Sequence, residues 1–457
     1  MWEDFLYVVV LLTCVGFGHY YRNIKEVKSK QWLGTIFGLF VSTLVSGWHV
    51  AHPIIFTIVN GFIISRLSPK ICHLVSFYFS CFHLLVICRL GWFGIPIPPG
   101  HTNLIMMILT LKVPGMAFEV NSARQATEDD PQGLKNESLQ NIGVLDVFHY
   151  AFSYMGVLTG PYYRYRTYWD SIHRNFAKHV DPWPAVSRKL IAVAVYIVLF
   201  IVFSKSFPAE YVLTEEFAER SLLYRIWYIY PAFVTFRTRL YTGMALAECA
   251  CQMAGLGAYP TSCDPTPGGG PRNYRLAENL HDNDEKLKLE EIDFETVHNM
   301  KVWELEKSYS TRVAMKVWNC CAQYSIAMMV YKRFPIKSLR TLATFLFSSV
   351  WHGYAAGYYF GITSVAFYLP FEDIYIKIYK QLPEDGLAKK SMTVFMWFMR
   401  TSCMAYLSFA FQLLEFYKTV HYYYSVYFAG HILVAILYGI GKFASPHILV
   451  DKKRKEL

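Results

Sequence analysis

The chain has 457 residues, 54% of them hydrophobic and 17% charged, against roughly a quarter charged in soluble proteins, a balance that argues against a soluble globular protein. Its net charge of +10 reads as the cationic bias of cytosolic loops in a polytopic protein, not as a nucleic-acid surface. The ten cysteines lie mostly in apolar stretches, where they act as small hydrophobes, and no C-x-x-C pair offers a zinc or redox motif.

Residues 5–21 form the first window of about 20 apolar residues, the length that crosses roughly 30 Å of hydrocarbon. Glu3 and Asp4 precede it, with no basic start and no small-residue cleavage site, so it reads as a retained span. Arg22, Lys25, Lys28 and Lys30 follow; the positive-inside rule places them in the cytosol and the N-terminus in the lumen. Further windows cover 32–50, 53–66, 71–93, 102–118, 190–207, 222–236, 238–258, 391–414 and 422–442. Two more, 145–160 and 340–370, are apolar but interrupted by Gly, Pro or His, a pattern of broken or re-entrant helices lining a cavity. The expectation is an all-α polytopic membrane protein with about eleven transmembrane helices, plus re-entrant or broken helices around an intramembrane chamber.

Between these windows lie two polar loops, 119–144 and 260–310, and a basic tail closes the chain at 443–457. The first loop follows the fifth span and is expected in the cytosol, which leaves the sequon Asn136-Glu137-Ser138 unglycosylated. The second, with its Gly/Pro-rich stretch Asp264–Pro271 and the charged run from Glu278 to Glu295, reads as a solvated surface loop. Gly268-Gly269-Gly270 follows no strand and precedes no Lys-Ser/Thr, so it is not a phosphate-binding loop. No internal repeat or separate soluble domain is visible, and 1–457 reads as one membrane domain.

Ser348–Tyr354 places His352 inside an apolar stretch beside Gly353. A buried imidazole there needs a partner or a task; neutral near pH 7, it can take a hydroxyl proton as general base. Other histidines, among them His49, His73, His83, His421 and His431, also sit in apolar segments, so position alone does not single out His352. A second polar residue, Asn319, precedes it by 33 positions. Its amide can donate to a thioester oxygen or hold the histidine tautomer.

With this Asn–His pair the sequence resembles the membrane-bound O-acyltransferases, and more finely the animal lysophosphatidylinositol acyltransferases of that family. The resemblance spans nearly the whole chain, through Gly160–Tyr168, Arg237–Tyr241, Ala247–Cys249, Gly257–Pro260, Glu295–Asn299 and Trp351–Gly353. It implies an acyl-CoA-dependent enzyme with a single family domain and a catalytic chamber, in which Asn319 and His352 take the catalytic positions. Two departures from the family pattern are Ala356, where related sequences often have Pro, and Tyr324-Ser325 in place of a Trp-rich stretch.

The resemblance further implies transfer of a polyunsaturated, arachidonoyl-like group to the sn-2 hydroxyl of lysophosphatidylinositol. Acyl-CoA is a co-substrate in this reaction, with no metal or other cofactor required. Arg164, Arg166, Arg237 and Arg239 are candidates to meet phosphate, since guanidinium binds it bidentately, and Tyr358 is a further substrate-binding candidate. For the arginines the competing reading is cytosolic-end charge or structural pairing; for Tyr162, Tyr163, Tyr165, Tyr168 and Trp169 it is an aromatic belt at headgroup depth. The tail carries Lys453 and Lys455, which fit a dilysine signal for the endoplasmic reticulum in a cytosolic C-terminus. A protein or sterol O-acyltransferase of the same superfamily would share Asn319 and His352, and a transporter would show repeated halves.

Overall fold

A computed structural model describes residues 2–87, 89–125, 137–139 and 141–455. Cys88, the sequon asparagine Asn136 and the side chains of the dilysine pattern lie outside the described residues. Described residues are predominantly helical, with two short antiparallel strand pairs: Tyr259–Pro260 with Ile292–Asp293, and Pro265–Thr266 with Gly270–Pro271. The chain divides into two units. One holds Met1–Val195, Tyr241–Met300 and Asn319–Arg333; the other holds Tyr196–Leu240, Lys301–Trp318 and Phe334–Leu457.

The expected count of about eleven spans is not reproduced. Among the described residues five helical stretches are long and apolar enough to cross a membrane, or six if a pair bent by 65°, Phe416–Ser425 with Ala429–Pro446, makes one span. Three causes account for the difference. The windows 222–236 and 238–258 fall largely on one helix, Ile229–Met253, which carries Arg237, Arg239 and Glu248. Window 71–93 yields a 16-residue helix, Cys72–Ile87, and window 145–160 yields only Val144–Phe152. Windows 32–50 and 53–66 give Val27–Ser46 and Ala51–Arg66, joined by a 3-10 turn; Gly47, at φ 56°, supplies the left-handed backbone that ends the first. The chain is a multi-pass helical membrane protein.

Within the first unit Gly100–Gln125 is the central element, with 89% of its apolar window buried. Lys112 lies buried on it, donating to the Tyr150 carbonyl (2.8 Å) and the Tyr163 hydroxyl (3.0 Å). Helix Val27–Ser46 touches the backbone that follows Val144–Phe152: Tyr154 N donates to Gly34 O at 3.1 Å, and a Cβ on Gly38 would stand 1.8 Å from Phe152 O. Only glycine permits that approach. Trp183–Ser206 shows the opposite character, with 6% of its apolar window buried, as suits a face turned to lipid.

The second unit has a core of Val212, Phe217, Tyr228, Ala232, Phe409, Ala410 and Tyr422. Buried Glu372, on the helix Ser364–Tyr379, accepts from Ser310 Oγ (2.7 Å), Thr311 N (2.6 Å) and Arg312 N (3.2 Å). It thereby satisfies amides that open the Thr311–Val317 helix, which have no partners within their own turn.

Candidate active site

Asn319 belongs to the first unit. It precedes the helix Cys320–Ile326 with φ 46° and ψ 49°, the left-handed region that asparagine tolerates better than most residues. Its side chain, half-buried, makes no capping bond to the helix it begins. That task falls to Asn299, whose carbonyl accepts from Cys320 N at 2.7 Å and whose Oδ1 accepts from Cys321 N at 3.1 Å. Asn299 is fixed in turn by Glu248 Oε1, which accepts from the Asn299 and Met300 amides, each at 2.8 Å; Glu248 is ion-paired with Lys189.

The stretch Asp264–Pro271, read from sequence as part of a solvated loop, is largely turned inward: Pro265, Gly268, Gly269, Gly270 and Pro271 are buried. Gly268 N donates to Thr296 O at 2.8 Å. A Cβ on Gly268 would meet the Cys321 carbonyl oxygen at 2.9 Å, and one on Gly269 would meet the Tyr324 ring at 2.8 Å. The glycines let this loop lie against the helix that follows Asn319. Their composition signals a turn equally well in solvent or in the interior, and the sequence carries no mark of which.

His352, in the second unit, ends the helix Arg340–His352, and Gly353 at φ 132° breaks the chain there. The expected interruption of window 340–370 thus falls directly after the histidine, followed by Ala356–Tyr358, a π-helical turn Tyr359–Thr363 and the helix Ser364–Tyr379. Three rings surround the imidazole: Trp351 at 4.8 Å, Phe411 at 5.0 Å and Tyr358 at 5.6 Å between centroids. Tyr358 and Phe411 pack on each other at 4.8 Å, and Ser349 Oγ bonds the Phe345 carbonyl (3.0 Å) and Thr363 Oγ1 (3.1 Å) beneath. This apolar surround favours the neutral imidazole that a general base requires. The tyrosine was legible in the sequence. Phe411 was not, because it comes from Leu387–Leu413, far along the chain, and nothing in its local pattern distinguishes it from other span phenylalanines.

The four arginines fall in different settings. Arg164 Nε lies 3.2 Å from Glu119 Oε2. Arg166, 2% exposed, pairs with Glu278 at 2.7 Å and with Asp170 at 3.9 Å, its guanidinium 4.2 Å from the centre of the Tyr274 ring. Burial pushes the Tyr274 phenol up to about 12, so the ring stays neutral beneath the cation. Burial also raises the Asp170 carboxyl, against the pull of Arg166. Arg166 ties the Tyr165–His173 helix to Tyr274–His281, and Arg164 ties the start of the former to Glu119 on Gly100–Gln125. In the second unit Arg237 makes a bidentate pair with Glu306 at 3.0 and 2.8 Å, while Arg239 is exposed.

Asn319 and His352 each stand at a helix end beside a backbone break, and the family model for membrane-bound O-acyltransferases matches residues 77–415. The chain belongs to the membrane-bound O-acyltransferase family and is an O-acyltransferase. It is 37% identical over 459 aligned positions to the membrane-bound acylglycerophosphatidylinositol O-acyltransferase frj of Drosophila melanogaster, covering 96% of this chain and 92% of that one. The corresponding mboat7 protein of Xenopus laevis is 31% identical (96% and 94% covered), and MBOAT7 of Homo sapiens is 30% identical (96% and 93% covered).

Proposed function

We propose that this chain transfers a polyunsaturated acyl group from acyl-CoA to the sn-2 hydroxyl of lysophosphatidylinositol, with His352 as general base and Asn319 as oxyanion donor. Near-full-length similarity to proteins named acylglycerophosphatidylinositol O-acyltransferases is the observation that carries the acceptor. The thioester is already activated, so the chemistry reduces to deprotonation, alignment and charge stabilisation. The imidazole of His352 takes the hydroxyl proton as the oxygen attacks the thioester carbon, and the Asn319 amide donates to the tetrahedral oxyanion. As the intermediate collapses the C–S bond breaks, and the imidazolium returns its proton to the CoA thiolate. No metal or further cofactor takes part.

Arg164, Arg166, Arg237, Arg239 and Tyr358 are proposed to contact or shape the sites of the anionic substrates, Arg239 being the exposed cation of the set. The proposed location is the endoplasmic reticulum membrane, N-terminus in the lumen and C-terminus in the cytosol; a C-terminal tag that antibody reaches only after the lumenal membrane is permeabilised would refute that orientation. Purified protein given one acyl-CoA and matched lysophospholipids tests the acceptor. The inositol lipid should be used far faster than the choline lipid, because a site built to bond hydroxyls leaves its own groups unpaired with an acceptor that lacks them. Equal use of lysophosphatidylcholine would remove the acceptor claim and leave the acyltransferase.

A further inference from the structure

A helix opens with amides that have no partner in their own turn, and an asparagine at the N-cap ordinarily gives its side-chain oxygen to one of them. At Cys320–Ile326 the N-cap is Asn319, yet its side chain makes no such bond. The first two amides are instead taken from outside, by the carbonyl and the Oδ1 of Asn299. Asn299 lies 20 residues earlier in the chain and is 2% exposed.

We propose that Asn299 is a positioning residue for acyl transfer: by capping the Cys320–Ile326 helix in place of Asn319, it leaves the Asn319 amide available to the reaction and fixes its left-handed backbone. The proposal rests on the reading of Asn319 as the oxyanion donor. Three observations converge on it. An asparagine that capped its own helix would have its oxygen turned toward the helix amides, which constrains where its NH2 group points. Asn299 accepts through two oxygens at once, so the Cys320 and Cys321 amides are pinned at two adjacent points. Its own backbone is locked by the buried carboxylate of Glu248, which holds both the Asn299 and Met300 amides and is itself paired with Lys189. A chain of bonds thus runs from Lys189 through Glu248 and Asn299 to the turn that carries Asn319, all of it within one unit. Sequence alone offered only Glu295–Asn299 as a motif without a task.

The test is a double-mutant cycle on full-length purified protein, with kcat and KM for acyl-CoA and lysolipid measured for Asn299→Ala, Asn319→Ala and the pair. Asn299→Ala should lower kcat tenfold or more with both KM values within about twofold, because a misplaced donor weakens the transition state and not ground-state binding. In the Asn319→Ala background the same change should cost less than twofold, since the group it positions is already gone. Asn299→Ser keeps a neutral oxygen acceptor near the Cys321 amide without burying a second carboxylate beside Glu248, and should lose clearly less kcat than Asn299→Ala. If Asn299→Ala does not fold, folded Asn299→Ser decides alone: kcat within about threefold of wild type at unchanged KM supports the role, and turnover lost by the folded variant overturns it. A full additional loss in the Asn319→Ala background, or Asn299→Ala turnover within twofold of wild type, also overturns it. Wild-type turnover by Asn319→Ala would show instead that the catalytic reading of Asn319 had failed.

Discussion

Gly357 offers a sharp test of how the His352 surround is held. Its amide donates to Leu414 O at 2.7 Å, and a Cβ there would fall 1.9 Å from the Ala410 carbonyl oxygen and 2.7 Å from Leu414 Cα. Both obstacles are backbone, so neither can swing aside as a side chain would. Gly357→Ala must then push the Ala356–Tyr358 turn away from the end of Leu387–Leu413. Overpacking of this kind costs about 1–3 kcal/mol, and loss of the hydrogen bond adds about 1 kcal/mol, so a loss of about 2–4 kcal/mol follows. The shift separates Tyr358 from Phe411, the two rings that flank the imidazole, and acyl transfer should fall at least tenfold. Gly439→Ala is the control, because nothing lies within 4 Å of its would-be Cβ and alanine is the better helix former by about 1 kcal/mol. Thermal unfolding in detergent and acyl-transfer rate are the assays. Equal unfolding temperatures for the two variants would refute the close-approach argument.

Other consequences can be checked alongside. Glu372→Leu should destabilise the second unit by about 3 kcal/mol or more, because three donors lose their acceptor in a buried site, whereas Glu372→Gln should cost about 1 kcal/mol; denaturation in detergent compares them. Gly38→Ala should fail to accumulate as folded protein, since its Cβ would overlap the Phe152 carbonyl, while Gly16→Ala, with open space around it, should behave as wild type in size-exclusion chromatography. Burial pushes the Cys263 thiol up to about 11, so at pH 8 roughly one molecule in a thousand holds the thiolate. Maleimide should leave Cys263 unlabelled in the folded protein at that pH, label it once the protein is denatured, and gain access as pH approaches 11; rapid labelling of folded protein at pH 8, read by peptide mass, would contradict the buried placement.

Membrane character was legible from composition because lipid exposure selects residues directly, and the break after His352 was legible because Gly353 advertises it. Span count was not. A hydropathy window records apolar length but not where a helix stops, and the helix Ile229–Met253 runs through the charged positions that divided it in the sequence. The inward turn of Asp264–Pro271 was hidden for another reason: glycine and proline signal a turn whether water or a second helix faces it. The family resemblance pointed to Asn319 together with His352, whereas the capping exchange with Asn299 was not legible, since it depends on a left-handed backbone angle and on contacts to residues 21 and 22 positions away. The ion pairs of Arg164 and Arg166 were not legible, because their carboxylates, Glu119 and Glu278, stand far away along the chain.

The most direct test of the central claim is the stoichiometry of thiol release. Purified wild-type protein given acyl-CoA should release free CoA only when lysophosphatidylinositol is present, one equivalent for each phosphatidylinositol formed, and His352→Ala, membrane-inserted and folded, should release none above background. CoA release independent of the lysolipid, or product formed by His352→Ala at the wild-type rate, would contradict the account.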